Sequence, residues 1–214
     1  MNRHDVWLAV DHERSLLTDD LSRLDDSQWD IQSLCGEWKI RHVVAHLAFE
    51  ANAKLGTTVL GVVRHGMNVN RSLAHTALSA GAADPADLLS QLKGTVGSRT
   101  ILPFTKTECA IAEMVCHGAD IRRPLGLSRL VPESALVAAA DVLRSDWVTG
   151  TKRRITGLRL SAIDSDWSVG DGPEVEGPLE SLILAMGGRS DPLSELSGEG
   201  LPALRSRVAQ TIRG

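Results

Sequence analysis

The segment Glu113-Met114-Val115-Cys116-His117 places a carboxylate and an imidazole four residues apart. On a helix that spacing puts both on one face, one turn apart, where they can converge on a single cation. The flanking residues Ala110, Ile111, Ala112, Met114, Val115 and Ala119 are all apolar. An ionisable pair buried in such a helix costs several kcal/mol unless its members are paired or metal-bound. Spacing alone leaves a second reading open, a buried Glu–His hydrogen bond or a half-exposed face without an ion.

A third ligand has to come from another element. His46, inside the apolar run Val43-Val44-Ala45-His46-Leu47-Ala48, is the best-placed donor. Its alternative is a core histidine satisfied by one hydrogen bond. His42, one turn earlier, competes for the role, but it lies beside Arg41 near a helix start, where exposure is expected. His65 and His75 fall in a connecting stretch, and His4 and His12 read as solvent-facing. Two imidazole nitrogens and one carboxylate oxygen suit Zn²⁺ best, with Ni²⁺ or Fe²⁺ also compatible. Three protein ligands leave one coordination position open for a reactive molecule.

The cysteines fit this chemistry poorly. Cys109 is two turns from His117, about 12 Å along a helix axis, and Cys116 points away from its neighbour His117. Cys35 sits in a loop. Each reads as a small hydrophobe, so a reacting thiol would arrive from outside.

The elements that must position these residues are mostly helical. A first helix is expected over Arg3 to Leu24, with Val6, Leu8, Val10, Leu16, Leu17, Leu21 and Leu24 as its apolar side. After a loop from Asp25 to Glu37, a second helix starts near Trp38 and carries Ile40, Val43, Val44, Leu47, Ala48, Ala51 and Leu55, with a continuation to Val63 left open. Arg64 to Ala83 reads as a long, partly helical crossover. Asp84-Pro85 then supplies a cap and a first-turn proline for a short third helix with Leu88, Leu89, Leu92 and Val96 inward. A fourth helix spans about Thr105 to Arg122 and stops before Pro124. A fifth runs from Pro132 to Trp147. One long crossover among five helices points to a four-helix bundle with an extra helix.

After Gly150 the period changes. Leu158, Leu160 and Ala162 alternate with Arg159, Ser161 and Ile163 as in a strand, and Trp167 to Val169 is the return strand. Gly170-Asp171-Gly172-Pro173 is a turn. Pro178 opens a helix through Met186 that Gly187-Gly188 closes, and Pro202 opens the last one. The expected class is mainly α: a metal-binding bundle over 1–149 and a small α+β domain over 150–214.

The net charge of −4 gives no general attraction to nucleic acid or to an anionic membrane. No run of about 18 apolar residues is present, and the N-terminus lacks the pattern of a secretory signal. Three cysteines without regular spacing fit reduced thiols and a cytoplasmic location better than a disulfide framework. A monomer and a homodimer are equally compatible with the chain.

The stretch Ser33-Leu34-Cys35-Gly36-Glu37-Trp38-Lys39-Ile40-Arg41-His42-Val43-Val44-Ala45-His46-Leu47 resembles the segment leading into the metal-binding helix of the mycothiol-dependent maleylpyruvate isomerase family. That family belongs to the wider DinB-like bundles. Glu113 to His117, continuing as Gly118-Ala119-Asp120-Ile121-Arg122-Arg123-Pro124-Leu125-Gly126, is similar to a second family segment. A third runs from Asp164 and Trp167 through Gly170-Asp171-Gly172-Pro173 to Gly187-Gly188-Arg189. The family's aspartate near the start of the second helix is His42 here.

The resemblance implies a DinB-like four-helix bundle with a small C-terminal domain and a zinc site on His46, Glu113 and His117. It implies mycothiol, a low-molecular-weight thiol, as cosubstrate, and an electrophilic small molecule as substrate. Arg189 matches a family arginine expected to hold a carboxylate in a bidentate pair; the alternative is an arginine at a helix C-terminus answering its dipole. The outcome would be an S-transferase or a cis–trans isomerase. The competing expectation is a non-catalytic metal- or ligand-binding DinB-like protein with a stress or regulatory role.

Overall fold

The computed structural model describes residues 1–53, 55–64, 66, 68–101, 105–146 and 149–212. His65 and Trp147, named above, lie outside them. The chain divides into two compact units, Met1–Arg129 and Leu130–Gly214.

The first unit opens with α1 (Arg3–Leu21), capped by Asn2, whose Oδ1 accepts from the Asp5 amide at 3.0 Å. Then come α2 (Ile40–Glu50), α3 (Leu55–Arg64), α4 (Val69–Ala80), α5 (Pro85–Lys93) and α6 (Glu108–Arg122). Helices α1, α2, α5 and α6 pack on one another as a four-helix bundle, and α4 lies against α2. The expected crossover, Arg64 to Ala83, therefore holds one helix, α4, and α3 occupies the stretch before it. Asn68 caps α4 by accepting from the Arg71 amide, and Asp84 caps α5 ahead of Pro85 as its sequence suggested.

Helix α2 stops at Glu50, short of Leu55. The Asn52 side chain donates to the Ala48 carbonyl at 2.9 Å, and Ser98 Oγ donates to the Ala51 carbonyl at 2.7 Å. Side chains thus satisfy carbonyls that another turn would have used. The core is built from Val6, Val10, Leu17 and Leu21 of α1, Ile40, Val43, Val44 and Leu47 of α2, Leu88 and Leu92 of α5, and Ile111, Val115 and Ile121 of α6. Each such side chain contributes about 1.5–3 kcal/mol by leaving water. Leu8 and Val96, expected inward, are exposed. Conversely, α1 buries Glu13 and Arg14, and Arg14 Nη1 donates to the carbonyls of Thr95 and Ser98.

The second unit contains α7 (Glu133–Leu143), α8 (Thr151–Ile155), three strands, α9 (Leu179–Met186) and α10 (Leu201–Ile212). Helix α7, the fifth helix expected from the sequence, packs on α9. Strand β1 (Arg159–Ala162) lies between β2 (Ser168–Val169), antiparallel with Leu160 opposite Val169, and β3 (Glu174–Gly177), parallel with Leu160 opposite Val175. The third strand went unread because its alternation, exposed at Glu174 and Glu176 and buried at Val175 and Gly177, runs for only four residues. Gly170 has φ +83, and a Cβ there would stand 2.2 Å from the Leu158 carbonyl oxygen, so the turn after β2 requires glycine. Among the described residues no helix is long and apolar enough to cross a membrane.

Candidate metal centre

Helix α2 carries His46 among the buried residues Val43, Val44, Ala45 and Leu47, which turns its ring into the bundle. Helix α6 brings Glu113 and His117 to the same level, four residues apart, as their spacing required. His117 Nε2 lies 3.1 Å from Glu113 Oε2, and His46 Nε2 lies 3.5 Å from that same oxygen. The two imidazoles meet edge to face with centroids 4.9 Å apart. One ligand atom from each of His46, Glu113 and His117 lies within 4.8 Å of the other two. Tetrahedral donors about 2.0–2.2 Å from a zinc ion would stand roughly 3.4 Å from one another. The three residues therefore fit the metal that the donor types suggest.

His117 is fixed from behind. Its Nδ1 donates to Asp120 Oδ2 at 2.8 Å, and Asp120 is fully buried. That bond orients the ring with Nε2 towards Glu113, the carboxylate–histidine arrangement common behind metal-binding imidazoles. Asp120 lay within the motif read from the sequence but had no role there.

The connecting loop before α2 supplies two more neighbours that sequence reasoning missed. The Leu34 amide donates to the Asp120 carbonyl at 3.2 Å, pinning the loop to α6. Ser33 Oγ accepts from the Cys35 amide and donates to the Trp38 carbonyl, while Gly36 takes φ +55. This turn sets the Trp38 indole with its centroid 5.1 Å from that of His46 and 6.1 Å from that of His117. It also brings Cys35 into a hydrogen bond with His117, and Cys35, His117 and Asp120 form a second cluster of ligand-type atoms within 4.8 Å. Cys35 is thus a neighbour of the site and more than a small apolar filler. Its distance in sequence from Glu113 and His117 hid it. All three cysteines are reduced thiols.

Glu50, one turn beyond His46, was also missed. Its Oε1 approaches His46 Nε2 to 3.5 Å. The signal was present as a second four-residue His/Glu spacing.

The charges at the centre are strongly coupled. Burial pushes the Glu50 carboxyl well up, and the negative charge of Glu113 adds to that. Burial works the same way on Glu113, but hydrogen bonds from His117 and His46 outweigh it and hold that carboxyl well below the usual range. For His117, burial opposes the charged ring, yet hydrogen bonds with Asp120, Cys35 and Glu113 hold its pKa well above the ordinary imidazole value. Two carboxyl groups and two imidazoles thus meet in one layer, with Glu113 its most exposed member, and their protonation states depend on one another.

The remaining candidates separate cleanly. His42 Nδ1 accepts from the Lys39 amide at 3.1 Å and caps α2, so it serves the helix start. His4, His12 and His75 are exposed. Arg189 follows α9 in the second unit, and its Nη1 donates to the Gly187 carbonyl at 2.9 Å.

Residues 10–101 match the profile of the mycothiol maleylpyruvate isomerase N-terminal domain. Among solved structures the chain is similar to a crystal structure of the mycothiol-dependent maleylpyruvate isomerase, at 17% identity, covering 93% of each chain with a TM-score of 0.64. A histidine-to-alanine mutant of that isomerase is similar at 16% identity, the same coverage and a TM-score of 0.64. No curated protein matches the chain. The resemblance read from the motifs, and the fold that it implied, are borne out.

Proposed function

We propose, from the premise that this chain resembles the mycothiol-dependent maleylpyruvate isomerase family in its N-terminal sequence and in its fold, that it is an enzyme that activates an external thiol. The proposed cosubstrate is mycothiol, the substrate an electrophilic small molecule, and the setting cytoplasmic. The observation that carries the reading is the convergence of His46, Glu113 and His117 on a common point from two helices.

In this reading His46 Nε2, Glu113 Oε2 and His117 Nε2 hold a divalent ion, zinc by preference. Such an ion, when bound, favours the thiolate form of a thiol at its open position. Asp120 keeps His117 in the tautomer that offers Nε2. Trp38 walls both imidazoles and limits water beside them. Arg189 is assigned the role of holding a carboxylate of the substrate or of the thiol.

The thiolate adds to an electrophilic carbon. If that carbon belongs to a cis double bond, rotation about the new single bond and loss of the thiolate give the trans isomer. If the thiol stays attached, the carbanion left by addition takes up a proton, such as the one the thiol gave up, and the product is a conjugate. The test is metal analysis of protein purified without added metal, combined with turnover assays using mycothiol and a panel of electrophiles. Stoichiometric zinc with thiol-dependent turnover supports the enzyme. Stoichiometric zinc with no turnover on any electrophile would instead favour a non-catalytic binding protein.

A further inference from the structure

Helices α2 and α6 carry one pattern in opposite orders. On α6 a glutamate precedes a histidine by four residues, Glu113 and His117; on α2 a histidine precedes a glutamate by four, His46 and Glu50. Each pair shares a face one turn long, and the two helices pack together. Four ligand-type side chains therefore enter one layer of the bundle from two helices. Helix bundles build carboxylate–histidine metal sites in this way.

Folding of α2 does not account for Glu50. Its side chain is 13% exposed, and among the described residues its one ion-pair contact is the 3.5 Å approach of Oε1 to His46 Nε2. The same nitrogen is 3.5 Å from Glu113 Oε2, so one imidazole edge faces two carboxylates. Arg14, a buried cation that attracts Glu50 at longer range, donates Nη1 to the Thr95 and Ser98 carbonyls, and no ion pair joins it to Glu50 among the described residues. A carboxylate buried beside another carboxylate is costly unless a cation lies between them.

We propose that Glu50 is a fourth metal ligand, whose carboxylate closes the position left by His46, Glu113 and His117 in the thiol-free protein. The proposal rests on the metal reading given above. Glu50 stands outside the 4.8 Å group formed by the other three ligand atoms, so it joins by rotating its own side chain. As the last residue of α2 it can turn away again without disturbing His46. An entering thiol would therefore replace Glu50 and leave the other three residues in place.

The test loads wild-type protein, Glu50→Gln and His117→Ala with Co²⁺ alone and follows visible absorption and chelator competition. The expected result is that Glu50→Gln keeps one ion per chain but binds it at least about tenfold more weakly, with a changed cobalt spectrum. His117→Ala is expected to lose the ion altogether. Equal affinity and superimposable spectra for wild type and Glu50→Gln overturn the Glu50 assignment and leave the three-residue site standing. Failure of wild-type protein to bind Co²⁺ removes both. A zinc-soaked crystal of wild-type protein gives an answer that needs no variant to fold. A Glu50 oxygen about 2.0–2.2 Å from the metal supports the assignment, and one beyond about 3 Å overturns it.

Discussion

His117 Nδ1 lies 2.8 Å from Asp120 Oδ2, three residues further along the same helix, with both side chains buried. The bond is local to α6, so it forms with the helix and holds the ring before any ligand arrives. Removing the carboxylate frees the ring to turn and lowers its basicity. Asp120→Ala is expected to weaken zinc binding by about 10–100-fold, measured by chelator competition. Asp120→Asn, which can still accept from Nδ1, should fall between. Unchanged affinity in Asp120→Ala would mean that the ring needs no orienting partner.

The two histidines enter from different helices, and each supplies one of the three donors. His46→Ala and His117→Ala should each abolish stoichiometric zinc and thiol-dependent turnover. The far-UV dichroism of the helices should stay close to that of the wild type. The same two helices also bury Val43, Val44, Leu47, Ile111 and Val115, and this apolar packing is left unchanged in sequence by either variant. Full zinc occupancy in either variant would rule that residue out as a ligand.

In the metal-free protein the pKa of His117 is held well above 6.5, the ordinary value, against the pull of burial. Its charge therefore stabilises the fold fully below about 6.5, and that contribution is lost as pH rises through the folded value. Zinc needs the neutral ring, so apparent zinc affinity should rise with pH across the same window. Calorimetry at neutral pH in two buffers of different ionisation enthalpy should show release of about one proton from this ring per zinc bound. A signal independent of the buffer would contradict the ligand role.

What could be read from the chain follows from how locally each feature is encoded. Glu113 and His117 share one helix, so their four-residue spacing already told which face they occupy. The cap at Asp84-Pro85 and the stop before Pro124 were legible for the same reason. Cys35 and Trp38 were not, because their place beside His117 and His46 depends on a loop pinned through Leu34 to α6, far away in sequence. The end of α2 was misjudged because Ser98, a distant residue, satisfies the Ala51 carbonyl. Glu50 was overlooked although its spacing from His46 is the same local signal that revealed Glu113 and His117.

The bundle also carries a buried charge pair that shares no residue with the metal layer, and its energetics can be tested separately. Arg129 Nη2 donates to Glu13 Oε1 at 2.6 Å and Nε to Oε2 at 3.1 Å, and the Glu13 side chain is 2% exposed. Arg122 comes no closer than 3.8 Å to Glu13 in its ion pair and spends Nε on Asp20 at 2.7 Å. In Arg129→Ala a buried carboxylate would keep only the long contact. Breaking a buried pair from one side costs about 3–5 kcal/mol, so denaturant unfolding should shift by that amount with its slope unchanged. Adding Glu13→Leu to Arg129→Ala should recover most of the loss, because an apolar side chain of similar volume needs no partner. A loss below about 1 kcal/mol in Arg129→Ala would show that water reaches Glu13 once the arginine is gone and that the pair behaves as a surface one.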